Sequence, residues 1–106
     1  MEQGILYVTT RPTSPKQEDE YNEWYDLHLR EVCAVPGFIG ARRFAPMQDD
    51  GPYVAVYDME AEDLAVALAG LYAAAENGDI QLSDALQLDP PPTIRLLKLC
   101  ATHRTR

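Results

Sequence analysis

Residues 21–38 read YNEWYDLHLREVCAVPGF, and the spacing of their apolar and aromatic side chains decides what the chain builds. At about 100° per residue, Tyr21, Trp24, Tyr25, His28, Val32 and Val35 fall within an arc of about 100°, the width of a helix face that packs on a core. His28 lies near the centre of that arc, so its imidazole points inward. Asp19, Asn22, Glu23, Asp26, Arg30 and Cys33 occupy the opposite side, which is a solvated face apart from the cysteine. Upstream, Ser14 with Gln17 forms a candidate capping box and Pro15 suits the first helical position. Glu18, Asp19 and Glu20 then sit near the positive end of the helix dipole. Pro36 disfavours helix at Val35, and Gly37 releases the chain into the next element. The pattern predicts a helix over residues 15–34.

The rest of the chain extends this reading in both directions. Residues 5–10 (ILYVTT) are β-branched and aromatic and end at Arg11-Pro12, as a strand does. Residues 38–45 (FIGARRFA) and 53–59 (YVAVYDM) are two further strands joined by a turn at Asp50-Gly51. Residues 60–76 are alanine-rich, start with acids and close on Asn77-Gly78, which predicts a second helix with Leu64, Leu68, Leu71, Tyr72 and Ala75 facing inward. Residues 79–92 read mostly as loop, open to being a short helix or a flap over a pocket. Three prolines at 90–92 then stiffen the entry into a last strand over residues 94–100. Residues 101–106, with His103, are expected to be a disordered tail.

The order is therefore β-α-β-β-α-β, the α+β, ferredoxin-like arrangement: an antiparallel four-stranded sheet with two helices on one face. Strands one, three and four carry apolar residues on both parities, for example Ile5 and Tyr7 against Leu6 and Val8. Two helices cover one face only, so the other is expected to pack on a second copy in a homodimer.

Composition narrows the function classes. A chain of 106 residues, 46% of them hydrophobic, is a single domain that buries about 65% of its unfolded surface. A formal net charge of -8 argues against nucleic-acid and anionic-membrane partners, which long-range repulsion would hold off. Cys33 and Cys100 form no CxxC or metal spacing, and the start MEQGILYV has no signal-peptide character, so the expectation is free thiols in a cytoplasmic protein. No metal site and no cofactor are expected: His28 and Glu31 offer at most two ligands, and nothing completes a set.

The pattern Trp24-Tyr25, His28-Leu29, Glu31-Val32 and 34–38 (AVPGF), followed by 41–44 (ARRF), resembles the dimeric α+β barrel superfamily, in particular its small EthD-like and antibiotic-biosynthesis-monooxygenase-like members. Residues 85–92 (ALQLDPPP) are similar to bacterial proteins of this type, so the resemblance spans nearly the whole chain. Arg30 and Cys33, often proline and leucine in comparable sequences, depart from it on the outward side. The resemblance implies a homodimer of back-to-back sheets with a ligand pocket between each sheet and its own helices. It implies no single reaction, because the superfamily hosts monooxygenases, cyclases, isomerases, dehydratases, haem enzymes and members without known activity.

The site expected is an apolar pocket around His28. A buried imidazole stays neutral and suits proton abstraction from a phenol or beside a carbonyl; the bland alternative is a core histidine bonded to a backbone carbonyl. Tyr7 and Tyr57 are candidate partners that hold a substrate oxygen, with Trp24, Tyr25 and Tyr72 as wall. Glu31 is a candidate to fix the imidazole tautomer, and Arg42 or Arg43, on opposite faces of one strand, to meet a ligand oxygen; Arg42 is the one taken as ligand-binding. The function expected is cofactor-independent proton-transfer chemistry (cyclase, isomerase or dehydratase) on an aromatic or polyketide-like compound. A cofactor-free monooxygenase and a non-catalytic binding protein are the alternatives.

Overall fold

The computed structural model describes residues 1–105; Arg106, the last residue of the expected tail, lies outside them. The elements run β1 (Glu2–Thr10), a 3-10 turn (Pro15–Gln17), α1 (Glu18–Cys33), β2 (Phe38–Phe44), β3 (Tyr53–Ala61), α2 (Leu64–Glu76) and β4 (Thr93–Lys98). The four strands form one antiparallel sheet in the order β2-β3-β1-β4. This is the ferredoxin-like fold that the element order predicts.

Several boundaries differ from the sequence reading. β1 starts at Glu2 and β3 runs to Ala61, because Glu2 pairs with Ala61 and the ladder continues past the strongly β-forming residues. Residues 60 and 61 are thereby strand, and α2 begins only after Asp63, whose carboxylate accepts from the Ala65 amide at 2.9 Å. The first turn expected of α1 is 3-10 instead, with Pro15 at its start. The capping box does not form: Ser14 Oγ bonds the Gln17 side chain at 3.2 Å rather than a backbone amide.

Side-chain alternation gives the sheet two distinct faces. Leu6, Val8 and Thr10 of β1 share the inner face with Ala55, Tyr57 and Met59 of β3, and all six are buried. Onto that face pack Tyr21, Tyr25 and Val32 of α1 and Leu64 and Ala67 of α2. Ile5, Tyr7, Val54, Val56 and Leu97 lie on the outer face, together with Arg42, Asp58 and Arg95. Residues 79–92 form no regular element but are tied down at their centre. Pro12 bridges to Leu86, the Thr13 amide donates to the Ala85 carbonyl at 2.7 Å, and the Gln87 amide to that of Arg11 at 2.9 Å. Ile80, Ala85 and Leu86 are buried as a result, so the segment is a pinned flap. Among the described residues, no helix is long and apolar enough to cross a membrane.

Candidate functional site

α1 delivers its aromatic stripe to the inner face of the sheet. Tyr21 and Tyr25 are buried, while Trp24 and His28 are half-buried one turn apart and stack with ring centroids 4.5 Å apart and planes 21° apart. Tyr25 meets the imidazole edge-on at 5.4 Å, and Tyr57 of β3 does so at 6.5 Å. Beside these rings lies a cavity of about 270 Å³, walled by Trp24, Tyr25, His28 and Tyr57 and by aliphatic residues of β1, α2 and the flap.

The electrostatics follow from burial. Desolvation pushes the His28 pKa down to about 4, so the ring is neutral at physiological pH. Its Nδ1 is buried without a hydrogen-bond partner among the described residues, and so is the Tyr57 hydroxyl. Burial, reinforced by the neighbouring Tyr25, raises the Tyr57 pKa far above its ordinary value, and the hydroxyl keeps its proton. Tyr21 and Tyr25 are shifted up by burial too. Their hydroxyls converge on Thr10, whose Oγ1 lies 2.5 Å from that of Tyr21 and donates to that of Tyr25 at 3.1 Å. The Trp24 indole N–H donates to the Gln81 carbonyl at 2.9 Å, tying the flap to the pocket wall.

The structure gathers His28, Tyr57, Trp24, Tyr25 and Tyr72 at one cavity, with Tyr72 at its half-exposed rim. Three residues expected there lie elsewhere. Tyr7 pairs with Val56 and Arg95 on the outer face, because one step along β1 from Leu6 turns the side chain away from the helices. Glu31 does not line the cavity: three positions on from His28 it lies about 60° around the helix, beyond the edge of the aromatic stripe, and one of its carboxylate oxygens is buried without a partner among the described residues. Arg42 also faces outward, 3.5 Å from Asp58.

Arg43 is the arginine that faces the helices. Its guanidinium lies over the Tyr25 ring at 4.1 Å and within 5.2 Å of those of Tyr21 and Tyr53, and Nη2 donates to Asn22 Oδ1 at 3.1 Å. The choice between the two arginines is made by a β-bulge. Phe38 pairs with Met59 but Gly40 with Asp58, so Ile39 is extra and inner-face parity passes from even to odd numbers. Thr10 was also missed; its only sequence signal is that it shares the parity of Leu6 and Val8.

No protein-family profile and no curated protein sequence matches the chain. Solved structures do. The heme-degrader MhuD from Mycobacterium tuberculosis, seen with two hemes in its active site, superposes with a TM-score of 0.68 at 14% identity over 95% of this chain and 99% of that one. SnoaB, a cofactor-independent oxygenase from Streptomyces nogalater, gives 0.59 at 15% identity over 98% and 97%. NE2512 from Nitrosomonas europaea, of unknown function, gives 0.56 at 18% identity over 100% and 97%. The chain shares their fold. That fold is the ferredoxin-like one that the order of the elements predicts.

In the wall of this cavity the His28 imidazole is stacked on the Trp24 ring and met edge-on by Tyr25 and Tyr57. Among the described residues no cluster of three His, Cys, Asp or Glu side chains is placed to hold a metal ion.

Proposed function

We propose that this protein is a small-molecule enzyme that binds an aromatic or polyketide-like compound beside His28 and removes a proton from it without a cofactor. One observation carries the reading: a neutral imidazole whose Nδ1 has no partner among the described residues belongs to a residue in the wall of an apolar cavity. A core histidine held for stability would bond a backbone carbonyl. The imidazole takes the proton from an acidic C–H or phenol, and the Tyr57 hydroxyl, still protonated, donates to the oxygen on which the negative charge gathers. Cyclisation, isomerisation or dehydration follows from the resulting enolate. The resemblance to SnoaB favours a second outcome, in which the carbanion reduces O₂, a CH₂ group becomes C=O and water leaves.

The bicyclic ketone 2-tetralone, with acidic ring C–H bonds, tests the shared first step. In D₂O the protein should accelerate deuterium uptake next to the carbonyl, and His28→Gln should lower that rate about 100-fold or more with the fold intact. An unchanged rate in a folded His28→Gln variant removes His28 as the base. Oxygen consumption coupled to turnover selects the oxygenase outcome, and its absence the cyclase or isomerase class.

The same reading includes a homodimer formed through the outer face of the sheet. Ile5, Tyr7, Val54, Val56 and Leu97 put an apolar patch on that face beside Arg42, Asp58 and Arg95, and neither α1 nor α2 packs on it.

A further inference from the structure

The cavity beside His28 has a buried floor and an open mouth. Leu6, Val8, Val32, Tyr57 and Leu86 belong to the floor, all of them buried. Four large apolar side chains that line the same cavity are open to solvent instead: Tyr72 is 50% exposed, Leu82 64%, Leu88 51% and Ile94 47%. They come from α2, from the flap on either side of its pinned centre, and from β4, so tertiary structure gathers them into a collar. Single exposed apolar residues are ordinary, but four at one opening form a patch that folding of the chain leaves wet. Polar groups are few there. No lysine, arginine, aspartate or glutamate among the described residues lines the cavity, and the Gln81 carbonyl, next to Leu82, is taken by the Trp24 N–H.

The collar belongs to the helix side of the sheet. Ile94 pairs with Val8, whose side chain is on the inner face, so a second copy on the outer face leaves the mouth open. Charge narrows the occupant further. Asp79, Asp84 and Asp89 are exposed on the flap and the chain carries a formal net charge of -8, which together repel an anionic headgroup or an anionic membrane surface. A carboxylate inside would lie among hydrocarbon without a cation. An apolar cavity of roughly 150 Å³ houses one benzene ring, so a volume of about 270 Å³ encloses one ring or two fused ones, and a longer molecule emerges across the collar. We infer that this pocket takes an uncharged ring compound bearing an aliphatic chain, with the ring enclosed beside His28 and the chain laid over Tyr72, Leu82, Leu88 and Ile94. The chain covers apolar surface that a bare ring leaves in water. The inference rests on the reading of this cavity as the substrate site and adds the part of the substrate that lies outside it.

Equilibrium dialysis of the whole chain at pH 7 with acetophenone, hexanophenone and 4-hexanoylbenzoate tests it, with the His28 ring ¹⁵N resonances reporting whether binding is at this site. We expect hexanophenone to bind about tenfold or more tighter than acetophenone, roughly twofold for each methylene added on a half-exposed surface. 4-Hexanoylbenzoate, whose charge sits on the enclosed ring, should bind about tenfold or more weaker than hexanophenone. Leu82→Ser combined with Leu88→Ser should cut the affinity ratio of hexanophenone to acetophenone to about threefold or less, whereas Val66→Ser, equally exposed but outside the cavity, should leave that ratio as it is. Should the double variant fail to fold by circular dichroism, Leu82→Ser alone is used and a fall in the same ratio is expected. A ratio unchanged in the folded variant, an equal fall with Val66→Ser, equal or tighter binding of 4-hexanoylbenzoate, or no binding of any probe overturns the inference. So does another occupant of the collar: a double variant that sediments as a monomer where the wild-type chain is a dimer, or a wild-type chain that pellets with phosphatidylcholine vesicles while the variant does not. Chain-length dependence without deuterium exchange on 2-tetralone sinks only the catalytic reading. Exchange that depends on His28 without chain-length dependence sinks only the collar.

Discussion

His28 owes its protonation state to its neighbours rather than to a charged partner. Desolvation is the cause of its lowered pKa, and Trp24 at 4.5 Å and Tyr25 at 5.4 Å supply rings that exclude water. Two consequences follow for pH. An activity that needs the neutral imidazole should persist to about pH 4 instead of failing near the ordinary 6.5, and a kcat/KM profile checks this. Stability moves with it. Between about pH 6.5 and 4 the unfolded chain binds a proton that the folded ring refuses, so stability is full above that window and falls as pH drops through it. The gap is worth on the order of 3 kcal/mol at about 1.4 kcal/mol per pH unit. Urea unfolding at pH 7 and pH 4.5 should show this loss, and His28→Gln should remove that part of the slope. Arg43 shows the limit of single-residue reading: two adjacent arginines are indistinguishable by type, and the one that packs on Tyr25 is known only from the register of its strand.

At the scale of elements, α1 and the turn after it were legible because their signals are local. The 3.6-residue stripe and the Pro36-Gly37 pair need no partner to be read. Gly37 has φ 99°, and a Cβ there would lie 2.7 Å from the Ala67 Cβ of α2. Both the backbone and the contact exclude a side chain. Gly37→Ala should therefore cost about 2 kcal/mol or more, read as a lower midpoint in chemical denaturation with an unchanged m-value. Strand ends and bulges are not local. β3 reaches Ala61 only because Glu2 is there to pair with it, and the extra residue at Ile39 exists only relative to β3. The flap over residues 79–92 behaves likewise: its leucines gave no period, and its place comes from bonds to Arg11, Thr13 and Trp24.

For the whole molecule, the helices cover one face of the sheet, and the proposed second copy would cover the other. Tyr7 belongs to the second side. Tyr7→Glu should place a charge in the centre of the apolar outer face, shifting sedimentation velocity from dimer to monomer at micromolar concentration while the His28 resonances keep their positions. A variant that stays dimeric places the contact elsewhere. A wild-type chain that sediments as a monomer removes the dimer altogether.

The sequence by itself determined the element order, the fold that this order allows, and the inward direction of the histidine, because periodicity and turn chemistry act over a few residues. Tertiary structure alone decided that Tyr57 rather than Tyr7 stands beside that histidine, that Arg43 rather than Arg42 faces the helices, and that the flap closes one wall of the cavity. Those choices depend on strand register and on where distant segments meet. A shift of one residue in pairing reverses every side chain on a strand without changing a letter of its sequence.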